Sequence, residues 1–154
     1  MIDLREVDET NWRLPLQVAP DQKKFVSEPF RLLARAYAYR NSRSRALVIY
    51  DSASEQAAPV GMAMYYDYEP MQAYCLSQLF IDEKYQRRGY GGQSMQALMQ
   101  QMREDGKYQK IILCYVEGDV AAETLYTKLG FTLNGVRDGD EIGMEYYLTP
   151  KTQE

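Results

Sequence analysis

The spacing of apolar residues changes at Asp82, and this change constrains the fold more than any other feature of the chain. Before Asp82, apolar residues alternate with others, as at Val60 and Met62, which is typical of strands with one buried face. After it, methionines and leucines between positions 95 and 102 recur at helical spacing and predict a helix over residues 91–104. A chain with both patterns needs a sheet with helices packed against it.

The remaining segments give the order β, α, β-β-β, α, β, α, β-β, which predicts an α+β fold with a mixed sheet. Residues 45–50, 60–67 and 74–81 are predicted to form an antiparallel meander. The continuous apolar run 111–116 predicts a strand buried on both faces. Because the 154 residues contain no internal repeat or linker, we expect a single domain over 1–154.

The first helix is predicted near residues 30–40, after a polar segment at 11–29. That segment contains three prolines, which predicts a loop with short helical turns. The apolar residues of the helix recur at i, i+3, i+4 and i+7 and indicate an amphipathic helix. They are Phe30, Leu33, Ala34 and Tyr37.

Histidine is absent from the chain, and this excludes whole classes of chemistry. A Ser-His-Asp triad, a Cys-His pair and a His-ligated zinc site cannot form within one such chain. The two cysteines have no CxxC spacing, so we expect reduced thiols, a cytoplasmic location and no metal site. The formal net charge of −4 argues against nucleic acid or an anionic membrane as partner, and no apolar stretch has transmembrane length.

A glycine-rich segment with two arginines precedes the helix at 91–104. Its sequence is Gln86-Arg87-Arg88-Gly89-Tyr90-Gly91-Gly92. A tight turn at a helix N-terminus exposes unpaired backbone N–H groups, and the helix dipole adds positive charge there. This predicts a phosphate or pyrophosphate site, while the glycines alone also fit an ordinary turn with solvated arginines. Neither GxxxxGK(S/T) nor GxGxxG is present, which argues against a nucleotide triphosphatase and a dinucleotide fold.

Two motifs in this order resemble those of the GNAT superfamily of N-acetyltransferases. Gln86-x-x-Gly89-x-Gly91 fits its (Q/R)xxGx(G/A) loop, and Ala122-x-x-Leu125-Tyr126-x-x-Leu129-Gly130-Phe131 follows at the family's spacing. Shorter matches, such as Pro59-Val60-Gly61, are similar to a bacterial subgroup of spermine/spermidine (diamine) acetyltransferases. The resemblance implies a GNAT-like α+β fold with a mixed, mostly antiparallel central sheet of six or seven strands and about four flanking helices. It also implies a splayed cleft between the strands ending near Ile81 and Val116.

The resemblance implies acetyl-CoA as cosubstrate, bound in that cleft without a metal. Backbone N–H groups of the glycine-rich loop would hold the pyrophosphate, and main-chain groups of Phe80 and Ile81 would pair with the pantetheine arm. Asp119 stands where the family usually has an asparagine; it can accept a hydrogen bond or cap the following helix. The expected coenzyme-binding residues are Phe80, Ile81, Gln86, Arg87, Arg88, Gly89, Tyr90, Gly91, Gly92 and Asp119.

Tyr126 is the catalytic residue that the resemblance implies. In the family the tyrosine of this motif protonates the leaving thiolate, which suits a phenol of ordinary pKa about 10. The alternative is a helix tyrosine packed against the sheet. The acceptor of the amine proton stays open: the candidates are a water chain to Ser77 or Tyr115 and a carboxylate of Asp67, Glu69 or Asp82. Asp82 is better suited to capping the turn that follows it.

The expected acceptor is a primary amine of a small molecule, with a polyamine such as spermidine or spermine as the leading candidate. Its ammonium groups would need dispersed carboxylates and aromatic faces. The candidate substrate-binding residues are Glu28, Tyr37, Tyr65, Asp67 and Glu141, with Tyr66 and Glu69 beside them. The alternatives are a protein, peptide or antibiotic amine, and a sensor module that binds acetyl-CoA without turnover. Relatives often dimerise, so a homodimer is an expectation by analogy only.

Overall fold

The computed structural model describes residues 1–53 and 55–148, so the end of the predicted domain at 149–154 lies outside the described residues. Within them, seven strands and three α-helices are joined by loops and three 3-10 helices. The strands are β1 (Ile2–Glu6), β2 (Arg45–Asp51), β3 (Ala58–Tyr68), β4 (Ala73–Ile81), β5 (Lys110–Val116), β6 (Thr132–Asp138) and β7 (Glu141–Tyr147). The α-helices are α1 (Pro29–Ala38), α2 (Tyr90–Asp105) and α3 (Val120–Leu129).

All seven strands belong to one sheet in the order β1-β2-β3-β4-β5-β7-β6. The pair β4–β5 is parallel, and the other neighbouring pairs are antiparallel. The predicted α+β fold with a mixed, mostly antiparallel sheet of six or seven strands is confirmed. The parallel pair is also the point where the meander of the first half of the chain meets the helix-rich second half.

The parallel pair β4–β5 stays in register over only three residues of each strand. Residues 74–76 pair with 111–113, whereas β4 continues to Ile81 and β5 to Val116 without pairing. Strand β3 pairs with β4 as far as Ile81, and β7 pairs with β5 as far as Val116. Beyond the paired residues, β4 stays with β3 and β5 stays with β7, so the gap between β4 and β5 widens into a wedge. The predicted splayed cleft between these strand ends is confirmed.

Different helices cover the two faces of the sheet. On one face α2 contributes buried residues such as Leu98 to a core that includes Ile111 of β5, and α3 packs against its edge. On the other face Leu32 of α1 lies in a second core with Phe80 of β4. Within the apolar run of β5, Ile111, Ile112, Leu113 and Tyr115 are buried. Cys114 is exposed, so the predicted burial on both faces was wrong at this position, where β5 has separated from β4.

Helix α1 occupies the predicted residues but buries a different side. Leu32 is fully buried, whereas Phe30 is 66% and Tyr37 is 70% exposed. Ala34, between them on the helix surface, is exposed as well. The apolar face predicted from Phe30, Leu33, Ala34 and Tyr37 was therefore wrong as a buried face. Two apolar stripes overlap on this helix, and the contacts with the sheet select the one that contains Leu32.

The described residues form three α-helices rather than about four. The segment between β1 and α1 consists of turns, with isolated helical hydrogen bonds such as Val26 N–H to Gln22 O at 2.9 Å. Pro15 and Pro20 interrupt this segment, and a proline lacks the N–H that a continuing helix needs. The segment therefore crosses the α1 face of the sheet as an irregular strap.

Strand β4 contains a bulge at Ser77. Met64 pairs with Gln78 and Tyr65 pairs with Leu76, so Ser77 has no partner on β3. A bulge bends its strand and redirects the side chains beyond it. This one lies immediately after the last residue of β4 that pairs with β5, which places it at the narrow end of the wedge.

Candidate active site

The wedge between β4 and β5 forms a cavity of about 480 Å³. Its walls come from both strands, from the first residues of α2 and α3, from the strap before α1 and from the start of β7. Along β4 the lining residues run without interruption from Ser77 to Ile81, and the glycine-rich loop follows. The cavity therefore has a narrow end near Ser77 and a loop end near Gly89.

The loop end presents backbone N–H groups. Gly89 is the N-cap of α2 with a φ of +82°, and no side chain caps this helix. Arg87 has a positive φ as well, +63°, so the backbone reverses sharply just before the helix begins. The first N–H groups of α2 therefore have neither an intrahelical partner nor a side-chain cap, and this suits an anionic ligand.

Eight of the ten predicted coenzyme-binding residues line the cavity: Phe80, Ile81, Gln86, Arg87, Gly89, Tyr90, Gly91 and Asp119. The Gln86 side chain also donates a hydrogen bond to the carbonyl oxygen of Ile81 at 3.3 Å, which ties the loop to the end of β4. Arg88 and Gly92 lie outside the lining. The Arg88 guanidinium stacks 5.5 Å from the centre of the Tyr85 ring, and Gly92 faces Leu125 of α3.

Tyr126 lines the same cavity from α3. Its ring packs against Phe131, with 5.7 Å between the ring centres, and its hydroxyl has no hydrogen-bond partner within residues 1–53 and 55–148. Burial, with a contribution from the Asp119 carboxylate, raises the pKa of Tyr126 above its ordinary value. A phenol is protonated at neutral pH even at its ordinary pKa of about 10, so Tyr126 has a proton to donate.

Asp119 is buried and caps α3. Its carboxylate accepts a hydrogen bond from the backbone N–H of Ala122 at 3.2 Å, as an N-cap residue does. This is the capping arrangement that the sequence left as one of two options for Asp119. The same carboxylate lines the cavity, so it adds negative charge near the Tyr126 hydroxyl.

Arg35 lines the narrow end of the cavity, and sequence reasoning missed it. It lies in the last turn of α1, and its Nη1 donates a hydrogen bond to Ser77 Oγ at 2.9 Å. Glu141, at the start of β7, lines the same cavity. Neither side chain forms an ion pair with any residue of the described part of the chain. Because Arg35 and Ser77 are 42 positions apart, no local pattern could have joined them.

Two predicted substrate residues, Tyr65 and Asp67, lie at the opposite end of β4. They line a second, smaller cavity of about 240 Å³ and are both buried. The Tyr65 hydroxyl accepts a hydrogen bond from Gln101 at 2.7 Å, and Asp67 pairs with Arg43 and Lys107 at 2.7 and 2.8 Å. Their polar groups are occupied within the fold, so we remove both from the candidate acceptor site.

Two further predicted substrate residues, Tyr37 and Glu28, also lie outside the cavity lining. The Tyr37 ring is on the exposed side of α1, with the Arg40 guanidinium 4.3 Å from its centre. Glu28 precedes α1 and lies 3.6 Å from the ammonium group of Lys23. Of the five predicted substrate-binding residues, Glu141 is the one that the structure places in this cavity.

The candidate acceptors of the amine proton also fall into two groups, those that line the cavity and those that lie elsewhere in the fold. Asp82 is buried and accepts hydrogen bonds from the backbone N–H groups of Gln17 and Lys84 at 2.8 and 2.9 Å, so it caps the turn after β4. Glu69 lies near Lys107, at the other end of the strand. Ser77 and Tyr115 line the cavity, together with Glu141.

No cluster of three or more metal-ligating side chains occurs in residues 1–53 and 55–148. In the same residues, no helix is long and apolar enough to cross a membrane. Cys75 and Cys114 are free thiols, and Cys114 lines the cavity.

A comparison with models of protein families identifies the family of this chain. Residues 4–131 match the model of the acetyltransferase (GNAT) family. The chain belongs to the GNAT family. Over 85 residues this GNAT chain is 38% identical to spermine/spermidine N(1)-acetyltransferase of Bacillus subtilis strain 168, which covers 51% of the chain and 56% of the relative. The chain thus spans a little over half the length of the curated relatives that it matches.

Solved structures share the GNAT fold over nearly the whole chain. A spermidine N-acetyltransferase from Vibrio cholerae, in complex with CoA and spermine, superimposes with a TM-score of 0.75 at 17% identity and covers 96% of this chain and 95% of its own. An acetyltransferase from Bacillus subtilis in complex with CoA has a TM-score of 0.70 at 15% identity, with 97% and 100% covered. At these identities the likeness concerns the fold.

Proposed function

We propose that this GNAT chain is an acetyl-CoA-dependent N-acetyltransferase that acetylates a primary amine of a small molecule. One observation carries the proposal: a single cavity joins an uncapped helix N-terminus, an unpaired strand edge and the Tyr126 hydroxyl. The helix start suits a pyrophosphate group. The free edge of β4 from Gln78 to Ile81 suits the amide groups of a pantetheine arm, as a sheet edge binds an added strand.

The residues of the cavity account for the bond changes of acetyl transfer. Acetyl-CoA supplies the acetyl group as a thioester. The amine nitrogen attacks the carbonyl carbon, so that a C–N bond forms and the C–S bond breaks. Tyr126, which as a phenol is protonated at neutral pH, gives its hydroxyl proton to the departing sulfur. Holding the amine beside the thioester supplies much of the remaining acceleration.

The amine must lose one proton for each proton that Tyr126 gives to sulfur. Glu141 is a carboxylate of the cavity lining, opposite Val116 at the end of β5, and it has no ion-pair partner in the described residues. It is therefore suited to accept this proton from the ammonium form, directly or through a water molecule. Ser77 and Tyr115 line the same cavity and offer hydroxyl groups to such a water.

A polyamine is the acceptor that the names of the curated relatives support. Asp21 and Glu141 supply carboxylates for ammonium groups within the cavity. The other side chains predicted for this role lie elsewhere in the fold. The polyamine proposal therefore depends on the relatives more than on the cavity.

Thiol release from acetyl-CoA tests the proposed function. The purified chain would be assayed with spermidine, spermine, amino acids, an aminoglycoside and a peptide. Amine-dependent thiol release, with the acetylated amine identified by mass spectrometry, is the expected result. Coenzyme binding without thiol release for any amine would contradict it and favour a sensor module.

A further inference from the structure

Arg35 places a fixed positive charge at the narrow end of the cavity. Its Nη1 donates to Ser77 Oγ at 2.9 Å, and Ser77 is the bulge residue of β4, so the contact holds the guanidinium against the sheet. Within the described residues no carboxylate lies at ion-pair distance from it. Other surface arginines also lack partners, but Arg35 is anchored and lines the cavity.

Glu141 places a negative charge in the same cavity, at the start of β7 and opposite Val116 of β5. Both side chains act on the thiol of Cys75, which lies on β4 two residues before Ser77. Burial raises the pKa of Cys75, and of the charges around it Arg35 lowers that pKa while Glu141 raises it. The cavity therefore carries the cation Arg35 at its narrow end and the anion Glu141 beside the end of β5, and these two are not paired with each other.

The guanidinium of Arg35 lies too far from the expected pyrophosphate site to bind that group. Ser77 lies four residues before Ile81, which is roughly 13 Å along a strand. The uncapped N-terminus of α2 lies beyond Ile81, at the other end of the cavity. The charge of Arg35 is therefore available to the acceptor rather than to the phosphates.

We propose that the acceptor is an amine that also carries a carboxylate, with Arg35 binding the carboxylate and Glu141 binding the ammonium group. A guanidinium offers a planar fork of donors that matches a carboxylate. The second ammonium of a polyamine would instead meet a like charge, which disfavours binding. The inference rests on the proposed acetyl transfer, and it replaces the polyamine by an amino acid as the acceptor class.

Three amines of similar length test the inference: 1-aminobutane, 1,4-diaminobutane and 4-aminobutanoate, with α-amino acids added to vary the spacing. We expect the preferred amino acid to have a higher kcat/KM than 1-aminobutane, and 1,4-diaminobutane to have a lower one. In Arg35→Gln the ratio of kcat/KM for the amino acid to that for 1-aminobutane should fall about 10- to 100-fold. Arg35→Lys should recover part of it.

Arg31→Gln is the matched control, because Arg31 lies one turn earlier on α1 and outside the cavity lining. Its ratio should equal that of the wild type. A wild type that prefers 1,4-diaminobutane or spermidine, or a ratio unaffected by Arg35→Gln, would overturn the inference and leave acetyl transfer intact.

A binding measurement separates the inference from the proposed function. If no amine releases thiol, acetyl transfer is wrong, and calorimetric titration of the amino acids into the protein saturated with coenzyme A still decides the role of Arg35. Binding that Arg35→Gln removes supports the inference. Absence of binding to the wild-type protein overturns it.

Discussion

The two ends of β4 carry similar residue types and differ in how their charges are satisfied. At the end near Tyr74, Arg43 bridges Asp67 and Asp105, and Lys107 adds a second cation to Asp67. The Tyr74 hydroxyl donates to Asp105 at 2.5 Å and accepts from the N–H of Lys107. We call this end of β4 the closed end.

At the other end of β4, which we call the open end, the polar groups lack such partners. Tyr126 has no hydrogen bond, and Arg35 and Glu141 have no ion pair within the described residues. The surroundings of the strand account for the difference. At the closed end, Asp67 and Tyr74 find partners in Arg43, Asp105 and Lys107, which come from the residues before β2 and from the end of α2 and the residues after it. At the open end β4 and β5 separate, and the side chains there face a cavity. Unsatisfied polar groups around a cavity indicate a functional site.

The largest effect is expected at the open end, from Tyr126→Phe. The substitution removes the proton donor and no hydrogen bond of the fold, so kcat should fall ~10²-fold or more while coenzyme affinity changes little. Steady-state kinetics and a coenzyme titration measure the two quantities. Tyr146→Phe is the control, since Tyr146 packs on the same Phe131 ring and lies outside the cavity lining. Unchanged turnover in Tyr126→Phe would exclude its role as the acid.

Asp67→Asn tests the closed end. It removes a buried charge that two cations bind, so the free energy of unfolding should fall by about 2 kcal/mol, with kcat/KM for the acceptor little changed. Chemical denaturation measures the loss. A large loss of kcat/KM at unchanged stability would show that Asp67 belongs to the acceptor site after all.

The pH dependence of the stability difference between the wild type and Asp67→Asn gives an independent check. Burial raises the pKa of Asp67, but hydrogen bonds from Arg43 and Lys107 outweigh it, so the pKa lies below its ordinary value. A group with a depressed pKa stabilises the fold above its ordinary pKa and loses that contribution as the pH falls. The stability gap between wild type and Asp67→Asn should be constant from about pH 7 to 5 and shrink below about pH 4. A gap that widens with acid would contradict this sign.

Glu141→Gln should have a smaller effect on activity and almost none on stability. Loss of a carboxylate that binds and deprotonates the amine should lower kcat/KM about 10-fold. Because Glu141 has no ion pair in the described residues, the free energy of unfolding should stay within about 0.5 kcal/mol of the wild type. A stability loss like that of Asp67→Asn would remove the contrast between the two ends.

The smallest effect is expected from Gly89→Ala in the loop. Its φ of +82° is unfavourable for alanine, so the substitution should cost about 1 kcal/mol of stability and weaken coenzyme binding a few-fold. Gly139→Ala is the control, because Gly139 has a φ of +60° in the β6–β7 turn with open space around it. Equal stability losses with weaker coenzyme binding in Gly89→Ala alone are expected. Equal coenzyme affinity in the two variants would contradict the role of the loop.

Features with local signals were predictable from the sequence. Helix α3 has the predicted bounds because Asp119 caps its start and Gly130, with a φ of +98°, ends it. The strand periods and the glycine-rich loop are likewise properties of short segments. The order of these elements predicted the α+β class with a mixed sheet, and the resemblance to the GNAT superfamily implied the cleft.

Features that depend on distant contacts were not predictable. Tyr65 and Asp67 have residue types that suit an amine site, but partners up to 40 positions away occupy them. Arg35 shows the converse, since only the fold brings it to Ser77. Helix α1 could present either of two apolar stripes, and its packing on the sheet chose between them. In each case the deciding interaction joins segments that are far apart in the chain.

The bulge residue Ser77 shifts the alternation of side chains along β4 by one position. Before it, even-numbered Tyr74 and Leu76 belong to the core under α2; after it, odd-numbered Leu79 and Ile81 do. Deleting this one residue would rotate the rest of the strand by half a period and exchange the sides of Leu79 and Phe80. Ser77 therefore determines which side chains of the cavity-lining half of β4 face the core under α2 and which face the core under α1. It also accepts the hydrogen bond from Arg35.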